Sequence, residues 1–455
     1  MQYFKPHDEF FVGDCMPFFH EGTFHLIYLL DEKHHQGKNG LGGHQWAHAS
    51  STDLKNWVHH PLAIGIDEEW ECSICTGSVF FHQGTFYAFY ATRKSDGSEH
   101  LSLATSTDGI HFHKTTPNPF ASPPAGYRSA YRDPFVFQDR ETGLFHMLVT
   151  AARENQRLPQ SSGCLAHLTS PDLRTWSLTE PFLTPSYRDV PECPNYFEWN
   201  GWYYLIFSNH GTARYRMSRN PLGPWLRPPV DTFDSDMSRV LKSAAFSGNR
   251  RLGVAFLPTR KDGRNDGELL YAGNAVFREI IQLEDGCLGT KFPPEMIPGS
   301  GPVLPLPLNA LTSGVTTTEN NLTIQTPEGF GAASLTRVPR DVRLCVEVRP
   351  QPHTGSYGLL LRSSGNYEKG CELRFYPDAQ RVELGDQSIC CVEGLTQPFR
   401  LDIVVTRDIV DVCIAERRCL IQRAPECNGD TIFFYCHNGE VSFTAIQVRE
   451  LLPSG

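Results

Sequence analysis

Apolar and polar positions alternate in a pattern that recurs five times in the first two thirds of the chain. Each repeat has an apolar run, a polar turn with glycine, and a second run in which aromatic and aliphatic residues alternate. Alternation with a period of two is typical of half-buried strands, and glycine suits the positive φ angles of hairpin turns. The pattern predicts five hairpins, at residues 18–30, 79–92, 135–151, 196–208 and 245–259.

Four of the five repeats continue with a second pattern of residue types that they share. A strand-like run ends in serine, a turn with Asp or Asn follows, and an aromatic residue closes the unit, at residues 51–57, 106–112, 170–176 and 218–225. All-β repeats of roughly 50–60 residues are typical of propeller blades. The repeats therefore predict a five-bladed β-propeller over residues 1–295.

The last third of the chain has a different organisation. Residues 296–308 are rich in Pro and Gly and predict an irregular linker. Short alternating segments then recur up to the C-terminus, which predicts a β-sandwich over residues 309–455. One short stretch, residues 235–243, is the single candidate helix. The predicted fold class is all-β, a five-bladed β-propeller followed by a C-terminal β-sandwich.

Composition and charge narrow the function classes. The chain has 455 residues, too many for one ordinary core, and 20% of them are charged, which is typical of a globular protein. A net charge of -10 without a basic stripe argues against nucleic acid as a partner. The same charge does not disfavour a neutral substrate such as a carbohydrate. No apolar stretch approaches the roughly 18 residues of a membrane helix, so no membrane partner is expected.

The termini and the cysteines bear on the compartment. The first ten residues lack the basic and apolar regions of a signal peptide. The 14 cysteines show no paired metal-ligand spacing, which favours reduced thiols in a cytoplasmic protein. The alternative is an exported protein whose leader has been removed.

Three carboxylates stand near the starts of predicted inner strands. Asp14 precedes the first hairpin, Asp133 the third and Glu192 the fourth, at positions that the repeat makes equivalent. Inner strands of a propeller line its central channel, so these side chains are expected to converge. A retaining glycosidase needs two carboxyl groups about 5 Å apart, and clustering of like charges would keep one of them protonated. The alternative is that each Asp caps its own turn.

Several phrases resemble, in order, the motifs of glycoside hydrolase family 32, the invertase and fructanase family. Residues 44–63 resemble its first-blade phrase, and residues 76–79 its Ser-Gly-Ser phrase. Residues 131–134 are similar to its Arg-Asp-Pro motif, residues 192–194 to its Glu-Cys motif, and residues 278–295 to its exit from the propeller.

The resemblance implies a retaining mechanism on β-fructofuranosides. It makes Asp14 the nucleophile, Glu192 the acid/base and Asp133 the stabiliser of the transition state. The alternatives are another furanosidase such as an arabinofuranosidase, a fructosyl-type transglycosylase, or, from another class, a carbohydrate-binding propeller without catalysis. No cofactor is expected.

The chain departs from the family at the first subsite. The family has Asn-Asp-Pro-Asn-Gly at the nucleophile, whereas this chain has Gly13 before Asp14 and Cys15 after it, and Leu29 stands where the family has a Gln that touches the sugar. The residues expected to bind substrate are Asp31, His34, Trp46, Thr76 and Arg132.

Each of these residues also has a purely structural interpretation. Trp46 could pack within a blade, Thr76 could be an ordinary strand residue, Arg132 a charge at a strand end, and His34 part of a polar loop. No metal is expected, because His44 and His48 share a strand face without a third ligand in sequence range.

Overall fold

The computed structural model describes residues 2–7, 9–154, 156, 162–187 and 189–452, which include all the residues predicted for the site. The chain forms two compact units. Unit 1 comprises residues 1–232, 238–258 and 270–287, and unit 2 comprises residues 233–237, 259–269 and 288–455. In the described part of the chain, no helix has the length and apolar character needed to cross a membrane.

Unit 1 is built from the predicted hairpins. Three of them close with two-residue turns in which both residues have positive φ, at Glu21–Gly22, Gln83–Gly84 and Asn200–Gly201. Such turns match the right-handed twist of the flanking strands, and this explains why glycine recurs at the second turn position.

Over the described residues, the hairpins belong to five blades of a propeller. Blade I contains the strands Phe10–His20, Thr23–Glu32, Gln45–Ser51 and Val58–His59. Blade II contains Ser73–His82, Thr85–Arg93, Glu99–Ser106 and His113–Lys114. Blade III contains Tyr127–Gln138, Phe145–Arg153, Gly163–Ser170 and Ser177–Leu178. Blade IV contains Glu192–Trp199, Trp202–Asn209 and Thr212–Ser218, and blade V contains Arg239–Phe246, Arg250–Arg260 and Leu269–Gln282.

The first strand of each blade is its inner strand. First strands of successive blades lie side by side, and the ring closes where the first strand of blade V meets that of blade I. The last strand of blade V also pairs with the first strand of blade I, through Val12 and Gly273. The turn phrases at Asp53, Asp108 and Asp172 follow the third strands, where each carboxylate accepts hydrogen bonds from backbone amides of its own turn.

Each inner strand contains a β-bulge at the same point. Two residues of the inner strand face one residue of the second strand there, in all five blades of the described chain. The bulged pairs are Gly13–Asp14, Cys75–Thr76, Asp133–Pro134, Cys193–Pro194 and Val240–Leu241. Bulges redirect side chains and interrupt pairing, and they are frequent beside active sites.

Unit 2 is a β-sandwich, as predicted. Its strands are Leu288–Lys291, Ser300–Val303, Leu308–Ala310, Val315–Thr317, Leu322–Leu335, Val342–Pro350, Ser356–Ser364, Lys369–Tyr376, Arg381–Leu384, Gln387–Ile389, Phe399–Thr406, Ile409–Ile414, Arg418–Arg423 and Thr431–Leu451. Alternate side chains of these strands are buried in one core, which includes Leu344, Leu359, Leu401 and Phe434. The alternation that predicted the strands also selects the faces that meet.

Two local predictions are corrected. The stretch predicted as an irregular linker contains the strand Ser300–Val303, because that segment finds a pairing partner in the last strand of the sandwich. The candidate helix at residues 235–243 is absent, since Arg239–Phe246 is the inner strand of blade V. The described helical segments are short, at Gly37–Gly40, Lys261–Gly263 and Pro294–Met296.

Candidate active site

The three predicted carboxylates meet around one residue, Cys193. Its thiol donates to Asp14 Oδ2 at 3.4 Å, and its backbone N–H donates to Asp133 Oδ2 at 3.1 Å. Glu192 is the preceding residue. Burial, followed by the nearby Asp133 and Asp14, raises the pKa of the Cys193 thiol well above its usual range, so the thiol stays protonated and remains a donor.

The carboxylates do not occupy equivalent positions, which corrects the expectation from the repeat. In the register of the bulges, Glu192 stands just before the bulge, Asp133 is its first residue and Asp14 its second. Asp133 and Cys193, the first bulge residues of their strands, both have positive φ, at 56° and 53°. Strained backbone of this kind persists where the surrounding structure holds it, often at functional sites.

Side chains at equivalent positions of neighbouring blades form hydrogen bonds with one another. Thr76 occupies in blade II the place of Asp14 in blade I, and its hydroxyl donates to Asp14 Oδ2 at 2.6 Å. Arg132 occupies in blade III the place of Glu192 in blade IV, and its Nη2 donates to Glu192 Oε1 at 2.6 Å. The five-fold repeat therefore supplies both the carboxylates and the groups that orient them.

Asp14 is almost fully buried and its oxygens are held from three blades. Besides Thr76 and Cys193, the hydroxyl of Tyr271 donates to Asp14 Oδ1 at 3.2 Å and lies 3.3 Å from the Asp14 backbone N–H, which donates to it. Burial, and then the negative charge of Asp14, raises the pKa of Tyr271 well above its usual range, so this phenol remains a donor. Hydrogen bonds from three donors fix the orientation of this carboxylate.

Tyr271 was not found from the sequence. It lies in the last strand of blade V, in an apolar run that carries no motif. Gly13 makes room for it, since a Cβ at that position would come within 2.7 Å of the Tyr271 hydroxyl. The replacement of the family's Asn by Gly13 was the available signal, because a missing side chain beside Asp14 leaves space for another group.

Asp133 is 2% exposed and accepts hydrogen bonds from Thr150 at 2.9 Å and from the Cys193 N–H. Burial raises its pKa to about 6, against the lowering effect of Arg132. The neighbouring Glu192 and Asp14 add to the rise because like charges oppose its ionisation. The ionised form of Asp133 is thus destabilised by burial, and a hydrogen bond donated by a hydroxyl group stabilises it.

Glu192 is the most accessible of the three carboxylates, with 31% of its side chain exposed. Its partner Arg132 also donates to Glu99 at 3.1 Å, and Glu99 in turn accepts from Arg93 at 2.7 Å. Arg132 therefore orients Glu192 instead of lying free at a strand end. Arg93 and Glu99 were missed because they lie outside any motif, Arg93 at the end of the second strand of blade II and Glu99 at the start of the third.

The cluster also contains a buried lysine. Lys242 follows the bulge of blade V, and its ammonium donates to the carbonyl of Gly77 at 2.7 Å. Burial lowers its pKa, whereas the negative charges of Asp133 and Asp14 oppose that change. Together with Arg132 and Arg93, this cation offsets much of the negative charge of the carboxylates.

Three residues predicted to bind substrate have other roles in the structure. Trp46 has no exposed surface, and its indole N–H donates to the Cys75 carbonyl at 2.9 Å, so it packs within the blade. Thr76 is buried against Asp14. Asp31 has no exposed surface either. None of the three presents a surface to a sugar, and Thr76 orients Asp14 instead.

His34 is partly buried beside Tyr271. Its ring packs on Phe11 with a centroid distance of 3.9 Å, and its Nδ1 lies 2.8 Å from the Tyr271 carbonyl oxygen, to which it donates. Leu29 is buried among Met16, Ile27 and Trp46. The place of the family's Gln is therefore apolar in this chain.

A cavity of about 410 Å³ opens beside Glu192. It is lined by Arg128, Arg132, Ala152, Ser162, Asp189, Val190, Glu192 and His210. This volume lies within the usual range of small-molecule sites. The most accessible carboxylate thus faces open space, whereas Asp14 and Asp133 are held in the bulges.

One set of residues has the chemistry of metal ligands. Ligand atoms of Asp31, His35 and His44 all lie within 4.8 Å of one another. The sequence pattern pairs His44 with His48 on one strand face, whereas in the structure His44 contacts His35, a residue of the preceding loop.

Comparison with known proteins finds a matching family model and several relatives of this chain. Residues 4–222 match the family model of the glycosyl hydrolases family 32 N-terminal domain. The chain is 30% identical over 201 residues to a sucrose-6-phosphate hydrolase of Escherichia coli, which is 41% of this chain and 39% of that protein. It is 28% identical over 246 residues to a raffinose invertase of Escherichia coli, which is 52% of this chain and 45% of that protein. The matches thus span less than half of these relatives.

Solved structures show the same fold. Fructan 1-exohydrolase IIa from Cichorium intybus superposes with a TM-score of 0.75 at 16% identity, covering 99% of this chain and 97% of that one. Exo-inulinase from Aspergillus awamori superposes with a TM-score of 0.74 at 16% identity, covering 99% and 98%.

Proposed function

We propose that the chain, whose residues 4–222 match the N-terminal domain model of glycosyl hydrolases family 32, is a retaining glycosidase of that family acting on β-fructofuranosides. The observation that carries the proposal is the meeting of Asp14, Asp133 and Glu192 around Cys193. Two carboxylates fixed by donors and one facing an open cavity suit a double displacement at an anomeric carbon.

Asp14 acts as the nucleophile in this proposal. Its carboxylate attacks the anomeric carbon and forms a covalent glycosyl ester, which water later hydrolyses. Thr76, Cys193 and Tyr271 hold both oxygens, so the attacking group loses little freedom when substrate binds.

Glu192 acts as the acid and then as the base. In the first step it gives a proton to the leaving oxygen, and in the second it takes one from the attacking water. Its place at the cavity wall lets leaving group and water reach it. Arg132 keeps the carboxyl oriented in both steps.

Asp133 stabilises the transition state. It accepts hydrogen bonds from two ring hydroxyls, and these bonds strengthen as positive charge develops on the ring. Its raised pKa makes the hydroxyls good partners, because the buried anion has lost its water.

The sugar preference follows from Leu29. A buried hydroxyl that loses its polar partner costs roughly 1–3 kcal/mol, and Leu29 offers none where the family has Gln. Sucrose is therefore a poor substrate in this proposal, compared with another furanoside. A panel of sucrose, sucrose 6-phosphate, inulin, levan and aryl furanosides, read for released sugar, tests both points.

The same panel separates the alternatives. Release from aryl arabinofuranosides alone would favour the arabinofuranosidase reading, and transfer to added sugar hydroxyls would favour the transglycosylase. A relative of this chain, from Allium cepa, is named as a fructosyltransferase. Binding without turnover on the whole panel would refute the enzyme and favour the carbohydrate-binding propeller. Asp14→Asn serves as the inactive control.

A cytoplasmic location is part of the proposal. All 14 cysteines are thiols, and most of them are buried. A chain rich in cysteine thiols suits a reducing compartment. Fractionation of the native host, with detection of the untagged protein, tests the location.

A further inference from the structure

Three pairs of histidines contact each other through ring nitrogens in the described part of the chain. The nitrogen–nitrogen distances are 3.0 Å for His25 with His48, 2.8 Å for His146 with His167, and 3.2 Å for His35 with His44. In the described part of the chain, neither of the first two pairs has a carboxylate hydrogen-bonded to it. The third also has a carboxylate, since Asp31 Oδ1 lies 2.9 Å from His44 Nε2.

Asp31 is buried more deeply than its partners explain. Its side chain has no exposed surface, and Oδ1 accepts the His35 backbone N–H at 2.8 Å. Its second oxygen, Oδ2, is buried and has no hydrogen-bond partner. A buried carboxylate oxygen without a partner is costly, and an ion is one of the few explanations.

Hydrogen positions cannot satisfy all contacts of this cluster. Arg93 Nη1 lies 3.1 Å from His35 Nε2, and since Arg only donates, that nitrogen must accept. A neutral His35 then carries its hydrogen on Nδ1, which points at His44 Nε2. If His44 Nε2 accepts it, no hydrogen lies between that nitrogen and Asp31; if Nε2 carries a hydrogen for Asp31, two hydrogens face each other.

We propose that Asp31, His35 and His44 bind a divalent transition-metal ion of the zinc class. Metal ligation uses lone pairs on all three residues at once, so the conflict over hydrogens disappears. Two imidazoles and one carboxylate with an open fourth position are ligands that Zn²⁺ accepts.

The ligand atoms are nearly at the right spacing. Tetrahedral Zn²⁺ with bonds of about 2.0–2.1 Å needs ligand atoms about 3.3 Å apart. The contacts of 2.9 Å and 3.2 Å at His44 are shorter than this by a few tenths of an ångström at most, and all three ligand atoms lie within 4.8 Å of one another, so the ion enters with a small rearrangement of the side chains. His35 then binds through Nδ1 and carries a hydrogen on Nε2, and its contact with Arg93 opens.

Arg93 and the loop allow this change. Arg93 keeps its bonds to Glu99 and to the Leu41 carbonyl when it leaves His35. Gly42 has a φ of 106°, and a Cβ there would come within 3.2 Å of both His35 and Arg93. A glycine is therefore needed for the loop to bring His35 against Asp31.

The proposed ion would lie beside the active site. The rings of His35 and His44 pack on Tyr271 with centroid distances of 5.5 Å and 5.4 Å. Tyr271 holds the nucleophile Asp14. The ligands of the metal site are distinct from the three carboxylates, so metal binding can be measured without the proposed reaction.

Metal binding to the full chain tests the proposal without any substrate. Tag-free protein is stripped with EDTA and titrated with Zn²⁺ by calorimetry and with Co²⁺ by absorption, which reports tetrahedral coordination. We expect one equivalent of metal per chain. Asp31→Asn and His44→Ala should each weaken it by at least the 10- to 100-fold that lost supporting groups cost at metal sites.

A matched pair of controls comes from the same blade. His25→Ala and His48→Ala disrupt a histidine pair that lacks a carboxylate, and should leave binding unchanged. Zn²⁺ should also raise the Tm of the wild type and not that of Asp31→Asn, a readout that needs only a folded variant. Absence of stoichiometric binding to the wild type, or binding that survives in Asp31→Asn, would overturn the proposal.

Discussion

Replacing Asp133 by Asn should make the protein more stable while it abolishes activity. The folded protein holds the pKa of Asp133 at about 6, above the ordinary value of 3.8, chiefly because the carboxyl is buried. A folded-state pKa above the unfolded one means that ionisation costs the folded state free energy. The cost is small below pH 4, grows between pH 4 and 6, and is complete above pH 6.

The size of the effect follows from the two pKa values. They differ by about two, which corresponds to about 3 kcal/mol at pH 8 and about 1 kcal/mol at pH 4.5. Asn cannot ionise, and its carbonyl oxygen can still accept from Thr150 and from the Cys193 N–H. Arg132 keeps Glu99 and Glu192 as partners. We therefore expect the free energy of unfolding to rise by about 1–3 kcal/mol at pH 8, and by less at pH 4.5.

Chemical denaturation of the wild type and Asp133→Asn at both pH values measures this difference. Asp172→Asn is the control with the opposite sign. Hydrogen bonds from the backbone of its own turn lower the pKa of the exposed Asp172, so its contribution to stability is present above pH 4 and is lost as the pH falls. The reasoning is refuted if Asp133→Asn is no more stable than the wild type at pH 8, or if its gain is equal at both pH values.

Three further predictions concern the chemistry. Asp14→Asn and Glu192→Gln should each fold and lose several decades of kcat, and azide should partly restore Glu192→Ala on an aryl furanoside; near-normal turnover by Asp14→Asn would contradict the nucleophile assignment. Tyr271→Phe should lower kcat by about 10- to 100-fold, because a hydrogen bond to a charged group contributes about 1.5–3 kcal/mol. The control Tyr204→Phe loses a buried hydrogen bond from its hydroxyl to the Gly286 carbonyl and should leave kcat unchanged. Equal losses of kcat in the two variants would mean that Tyr271 is only structural. Sucrose should give a lower kcat/KM than the best furanoside of the panel, and equal values would show that Leu29 is neutral.

The repeat and its alternation were enough to predict the fold. Period-two patterning determines which face of each strand is buried, and glycine in the two-residue turns at Gly22, Gly84 and Gly201 sets the hairpin register. Both signals are local, so they can be read without knowing what each strand packs against. The linker was less predictable, because Ser300–Val303 becomes a strand only through a partner far away in the sequence.

The carboxylates of the site could be named from the sequence, but their partners could not. Asp14, Asp133 and Glu192 lie in motifs, whereas Tyr271, Glu99 and Arg93 lie in strands whose patterning resembles any other strand. Trp46 is an error in the opposite direction. It lies in a sequence motif of the family and was predicted to bind substrate, but it is buried within a blade.

The sequence alone determined the strands, their hairpins and the identity of the acidic residues, because these depend on side-chain type and short-range geometry. Only the tertiary structure decided how those residues function together. The bulges place Glu192, Asp133 and Asp14 at three successive positions of the inner strands. Within blade I, the loop between the second and third strands brings His35 and His44 to Asp31. Ring closure brings Tyr271 to Asp14, and because these two residues are far apart in the chain, only the packing of blade on blade fixes their distance.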